Sequence, residues 1–235
     1  MKDNNNQFLK ESILFALESV LFTFSIFGSW MMQHTLKVNF MIEVAVQCCI
    51  IAFYFIRLWG SEELTEKPAN IYSFLMAVIP VFLILTLNGF KIQKDVSWTI
   101  VPLSLITATC EELHFRVNGC HLFREGGVLG FSDCAVLIAI YSVCRIFTFI
   151  VEGVSLSVMS VLESFASGIL LLGYYLKTGN TKTLIIIHTM LLIVESIEFK
   201  SEIPVIELVN ISASVIIGAS FLKRATLKRT ATVSE

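Results

Sequence analysis

The feature that most limits how this chain can fold is its run of apolar windows. Predominantly apolar stretches close to twenty residues long recur from one end to the other, at about 12–32, 38–58, 71–89, 97–115, 134–151, 155–176, 182–198 and 203–222. About twenty apolar residues are what an α-helix needs to cross the hydrocarbon of a bilayer. There each backbone N–H and C=O must be satisfied within its own segment. The chain is 55% hydrophobic and 15% charged. This predicts an all-α fold: a polytopic transmembrane helix bundle of about eight spans, forming one integral membrane domain over 1–235. The fifth and sixth windows are the least uniform, because Arg145, Glu152 and Glu163 interrupt them.

Composition narrows the function. A net charge of −2 and the lack of a basic patch exclude a nucleic-acid partner, leaving the lipid bilayer and a membrane-associated peptide or protein. The first apolar run follows a polar start with Lys2 and Lys10, lacks a small-x-small cleavage site and precedes further spans, so it reads as a retained first span. The six cysteines form no CxxC pair and read as reduced packing residues. Cys110, His114, Cys120 and His121 are close in sequence but match no compact zinc spacing, so no metal and no cofactor is expected.

Lys and Arg gather on the cytoplasmic side of membrane proteins. Lys2, Lys10, Arg57, Lys67, Arg116, Arg124, Lys177, Lys182, Lys223, Arg224, Lys228 and Arg229 would share one side of an eight-span chain. Lys37, Lys91, Lys94 and Lys200 would lie on the other. Both termini are therefore expected in the cytoplasm. Residues 59–70 read as a polar loop, and 117–133, with Gly119, Gly126, Gly127 and Gly130, as a flexible one. Lys223 to Glu235 reads as a frayed basic end that anchors on the positive-inside principle.

One cluster breaks the apolar pattern. Glu111-Glu112-Leu113-His114-Phe115-Arg116 ends an almost uncharged run from Ser97 to Cys110. Charged residues inside a membrane are costly and mark functional candidates. Glu112 and Arg116 are four apart, hence on one helical face and able to pair. Glu111 points about 100° away and could act as a base. A solvated ion pair at a helix end is the simpler alternative.

Further polar residues fall within or near the spans: Glu18, Glu43, Arg145, Glu163, His188, Glu195, Glu207 and Asn210. His188 stands in the otherwise non-ionisable run Thr183–Val194, with Glu195 two turns on. It is either an interhelical hydrogen-bonding residue or, beside the carboxylates, part of a general-base site. Arg145 needs an anion, for which Glu111, Glu152 and Glu163 are the candidates. Pairing with Glu111 would weaken that carboxylate as a base.

The cluster resembles the EExxxR signature of the CAAX prenyl protease and bacteriocin-processing (Abi) family of intramembrane proteases. The resemblance continues through Phe165-Ala-Ser-Gly168, the turn Tyr175-Leu-Lys-Thr-Gly179 and Thr183-Leu-Ile-Ile-Ile-His188, and covers about 98–195. It implies a catalytic core in which Glu111 activates water against a peptide bond near the cytoplasmic face. Glu112 and Arg116 support Glu111, and His188 polarises the carbonyl or holds the oxyanion. It also implies activities such as C-terminal trimming of prenylated proteins or bacteriocin immunity. Two family elements are missing. The FxxxH motif would fall at Phe147-Thr-Phe-Ile-Val151 and has no histidine. The HxxxN motif reads His188-Thr-Met-Leu-Leu192 and has no asparagine. Three functions follow. One is an intramembrane endopeptidase with an altered site, in which His114 or His121 could replace the lost histidine. The second is a catalytically inactive relative acting as a scaffold, immunity or regulatory protein. The third is a small transporter.

Overall fold

The computed structural model describes residues 2–36, 41–61, 67–87, 98–125, 129–151, 157–197 and 204–233. Every regular element among them is helical. The helices are α1 (Lys2–Leu36), α2 (Met41–Arg57), α3 (Ile71–Ala77), α4 (Ile79–Leu87), α5 (Ile100–Glu112), α6 (Gly119–Glu125), α7 (Phe131–Val151), α8 (Val158–Thr178), α9 (Thr181–Ile197) and α10 (Pro204–Val233). A π-helical segment, Leu113–Asn118, joins α5 to α6.

The all-α expectation holds. Within the described residues, four helices are long and apolar enough to cross a membrane: Asn6–Gly28, Phe131–Ile150, Val158–Thr178 and Val205–Lys223. The other predicted windows correspond to shorter helices, so the span number of about eight is not reproduced by length. The third window breaks at Val78, the C-cap of α3. Pro80, two residues on, has no N–H for a continuing ladder. Arg145 and Glu163 do not interrupt α7 and α8, while Glu152 lies outside the described residues.

Two further expectations change. Residues 117–125 are helical rather than loop. Gly119 serves close packing here: a Cβ would sit 2.7 Å from Leu137 Cδ2 and 3.0 Å from Phe15 Cζ. The basic C-terminal stretch continues α10 as helix to Val233.

Contacts gather the chain into two compact units, Met1–Thr65 with Thr109–Leu156, and Glu66–Ala108 with Ser157–Glu235. In the first, aromatic side chains bring α1 onto the π-helical segment, α6 and α7. Phe8 meets Phe123, Phe15 meets Phe115, and Phe24 meets Phe147. At one edge Glu18 accepts from Arg57 at 2.9 Å and from Asn118 Nδ2 at 3.0 Å, which ties α1, α2 and the π-helical segment.

The second unit is built on the crossing of α8 and α10. A Cβ on Gly173 would lie 2.5 Å from the Gly218 carbonyl oxygen, and one on Gly218 would lie 2.7 Å from that of Ile169. Small residues permit backbone approach of this kind between membrane helices. Gly179 ends α8 with φ +62°, a left-handed conformation that glycine adopts without strain. Asn180 then caps α9: its Oδ1 accepts from the Thr183 N–H at 2.8 Å, and its Nδ2 donates to the Lys67 carbonyl at 2.6 Å.

Candidate active site

The EExxxR motif spans the end of α5 and the start of the π-helical segment that leads into α6. The motif's last four residues are π-helical, and Leu113 to Asn118 are all buried. π-Helical insertions often occur at functional sites.

The two glutamates have different surroundings. Arg116 Nη1 stands 3.3 Å from Glu112 Oε1, with side chains 2% and 0% exposed, so the expected i,i+4 pair is present and sealed. The Arg116 guanidinium lies over the Tyr141 ring at 3.9 Å, which supplies a second attraction for the buried cation. Glu111 meets Arg145 instead, with Nη1 to Oε1 at 3.7 Å and both side chains 12% exposed. Arg145 also lies over the ring of Phe149 at 5.1 Å.

Tyr141, Arg145 and Phe149 are four apart on α7. This one face of the helix therefore supplies a ring for Arg116, a cation for Glu111 and a ring under that cation. Two carboxylates and two guanidiniums stand together, so the formal charges of the cluster cancel. That balance is the condition for keeping such groups in a membrane.

His114 points elsewhere. It is fully buried, with Phe22 stacked at 4.4 Å and Phe15 at 5.3 Å. Its Nε2 is 2.9 Å from Ser19 Oγ and its Nδ1 is 2.6 Å from the Tyr54 hydroxyl. Both hydroxyls can donate or accept, so either tautomer is satisfied. The suggestion that His114 replaces the missing histidine is overturned, because its ring is enclosed and both nitrogens are engaged. His114 instead fastens α1 and α2 to the π-helical segment. Cys110, also drawn into the possible metal set, donates to the Gln47 carbonyl at 3.2 Å. Among the described residues no three His, Cys, Asp or Glu side chains form a group able to hold a metal.

The structure thus brings Glu111, Glu112, Arg116 and Arg145 together in the first unit. His188 belongs to the second, on α9, buried in the same helix as Ile187, Thr189 and Leu191. Glu195, two turns on, is exposed. Sequence reasoning missed Tyr141, Phe149, Ser19 and Tyr54. For the first two a signal existed: both stand one helical turn from Arg145, itself an unavoidable cation in an apolar run.

These features define a class, an all-α membrane protein with a charge-balanced glutamate–arginine site within its helices. Residues 93–194 match the family described as Type II CAAX prenyl endopeptidase Rce1-like, and the resemblance read from the motifs is borne out over that segment. The match covers the EExxxR motif, α7, α8 and His188, a little under half of the chain. No curated protein and no solved structure matches the chain.

Proposed function

We propose that this chain is a non-hydrolytic relative of the CAAX-type intramembrane endopeptidases, one that binds a membrane-associated peptide or protein segment as an immunity, scaffold or regulatory protein. The family match supports intramembrane endopeptidase ancestry for the core. The observation that carries the departure is Arg145 at 3.7 Å from Glu111. A general base must reach the proton it removes and hold a water for attack. Here the carboxylate that would do so faces a guanidinium, which occupies the side from which a water would have to be held.

The sequence supports the same reading. The candidate FxxxH position in α7 has no histidine, and Leu192 stands where the HxxxN asparagine would be. Loss of one oxyanion donor typically costs about 10²–10³ in rate. Loss of an acid–base partner costs about 10²–10⁴. The Lys and Arg distribution supports a cytoplasmic location for both termini, with the glutamates toward that face.

A second reading, an altered but active endopeptidase, is favoured by the buried Glu112–Arg116 pair. This pair keeps the motif's supporting half in place beside Glu111. In that reading Glu111 is the base, Glu112 and Arg116 position it, His188 polarises the carbonyl, and Arg145 modulates the rate. The two readings separate in one experiment. The purified full-length protein in lipid nanodiscs is incubated with a library of short membrane-associated peptides, beside Glu111→Gln, and products are identified by mass spectrometry. The expected result is identical product profiles. Products made by the wild type and lost in Glu111→Gln would establish hydrolysis and overturn the non-hydrolytic reading.

A further inference from the structure

Charge is distributed unevenly along the second unit. Its helices α8 and α10 advance together, since Gly173 meets Gly218 and, further on, Lys177 meets Phe221. Helix α9 starts where α8 ends, after Gly179 and Asn180. The same end holds Lys67, whose side chain lies against Gly179. Lys67, Lys177, Lys182 and Lys223 therefore gather at one end of the unit. Among its described residues the carboxylates stand toward the other: Glu163 near the start of α8, Glu195 in the last turn of α9 and Glu207 in the first turn of α10.

Part of this pattern serves the helices themselves. Lys177 lies in the last turn of α8, where a cation suits the helix dipole, and its Nζ stands 4.1 Å from the centre of the Phe221 ring. The dipole of α9 does not account for Lys182. That helix has Lys182 in its first turn and Glu195 in its last, and both placements oppose its dipole. The surface next to the lysines supplies a second observation. Ile186, one turn from Lys182 on the same face, is 49% exposed. Beside Lys67, α3 carries Tyr72, Leu75 and Met76 as an exposed stripe at three- and four-residue spacing. Tyrosine is enriched where hydrocarbon meets water. The two apolar spans Val158–Thr178 and Val205–Lys223 also end at this level.

We infer that this end of the second unit binds the phosphate of an anionic lipid, with Lys67 and Lys182 as its ligands. Ile186 and the stripe of Tyr72, Leu75 and Met76 lie against the acyl chains. The lipid, rather than a soluble phosphate, is the occupant because the cations border exposed apolar surface at the ends of membrane-length helices. Lys223, exposed at the end of its span, adds to the positive potential. The inference is independent of the peptide-binding reading.

The test is native mass spectrometry of the full-length protein released from detergent. It is titrated with phosphatidylglycerol and, separately, with phosphatidylcholine of the same acyl chains. Phosphatidylglycerol should bind about twentyfold more tightly. Lys67→Gln and Lys182→Gln should each remove about fivefold of that preference, the effect of one basic side chain near an anionic membrane surface. Lys67→Arg and Lys182→Arg should keep it, because the positive charge is what acts. Phosphatidylcholine binding should be the same in all four variants, which separates loss of the site from loss of the fold. Lys10→Gln, an equal change of charge on α1 in the first unit, should leave the preference intact.

Equal binding of the two lipids by the wild type overturns the inference, as does a preference that survives in Lys67→Gln and Lys182→Gln. A loss in Lys10→Gln as large as in those variants overturns it as well, since net charge alone would then explain the preference. Glycerol 3-phosphate, which has the phosphate without acyl chains, should not displace the bound lipid. Displacement at equal concentration would make the ligand a soluble phosphate and overturn the lipid assignment.

Discussion

Two ion pairs, formed from neighbouring glutamates, make opposite uses of the same chemistry. Glu112 and Arg116 are joined within one helix turn, 3.3 Å apart, and closed off beneath Tyr141. Glu111 and Arg145 come from different helices, are 3.7 Å apart and remain partly accessible. Burial raises the cost of desolvating charge, so a sealed pair stands or falls as a unit. Accessibility lowers both that cost and the strength of the attraction, so the second pair weighs less on the fold. The lesson is that adjacent carboxylates in one motif can be given different partners and different degrees of burial.

The comparison breaks most directly if the sealed pair proves dispensable. Arg116→Ala leaves Glu112 charged and buried, and should destabilise the protein by about 3–5 kcal/mol, read from denaturant unfolding in detergent. Replacing both partners, Glu112→Leu with Arg116→Met, should recover most of that loss. Failure to recover it would mean that the pair holds the fold by more than mutual neutralisation.

His114→Ala tests the anchor beside both pairs. It leaves the Tyr54 and Ser19 hydroxyls without their imidazole partner and empties a space between Phe15 and Phe22. A loss of about 3–4 kcal/mol is expected by the same measurement. A loss under about 1 kcal/mol would show that the π-helical segment does not depend on this contact.

In the second unit, Gly173→Ala presses a methyl group onto the Gly218 carbonyl and should cost about 1–3 kcal/mol by thermal unfolding. An unchanged midpoint would mean that α8 and α10 separate at little cost.

The smallest effect sharpens the contrast. In a double-mutant cycle with Glu111→Gln and Arg145→Gln, the coupling should be about 1 kcal/mol or less and should shrink as salt rises. The same cycle at Glu112 and Arg116 should give a larger coupling that salt leaves unchanged. Equal couplings with equal salt dependence would erase the distinction between the two pairs.

Much of this was legible from local pattern. Apolar windows announced helices because a membrane leaves few other ways to satisfy the backbone. The Glu112–Arg116 pair followed from four-residue spacing, which fixes a shared face whatever the rest of the chain does. The Gly179 turn and the Asn180 cap belong to a segment quoted for its family resemblance, and both act within one turn of their own position. Where local signals misled, packing had overruled them. Gly119 reads as a loop residue in isolation, yet Leu137 and Phe15 come so close that only glycine fits without displacing them. His114 reads as a spare catalytic imidazole, yet partners 95 and 60 residues away in sequence enclose it.

The sequence by itself determined that this chain is helical, that it belongs in a bilayer, and that the segment around its EExxxR motif resembles the CAAX protease family. Those properties reside in composition, period and short spacing. Only the tertiary structure showed that Arg145 meets Glu111. Glu111 was one of three candidates in the sequence, and its contact with Arg145 depends on how α7 is rotated against the segment carrying the motif. No short-range pattern encodes that rotation. It is set by side chains far apart in the chain, such as Tyr141 against Arg116 and Leu137 against Gly119, whose contacts exist only once the helices have packed.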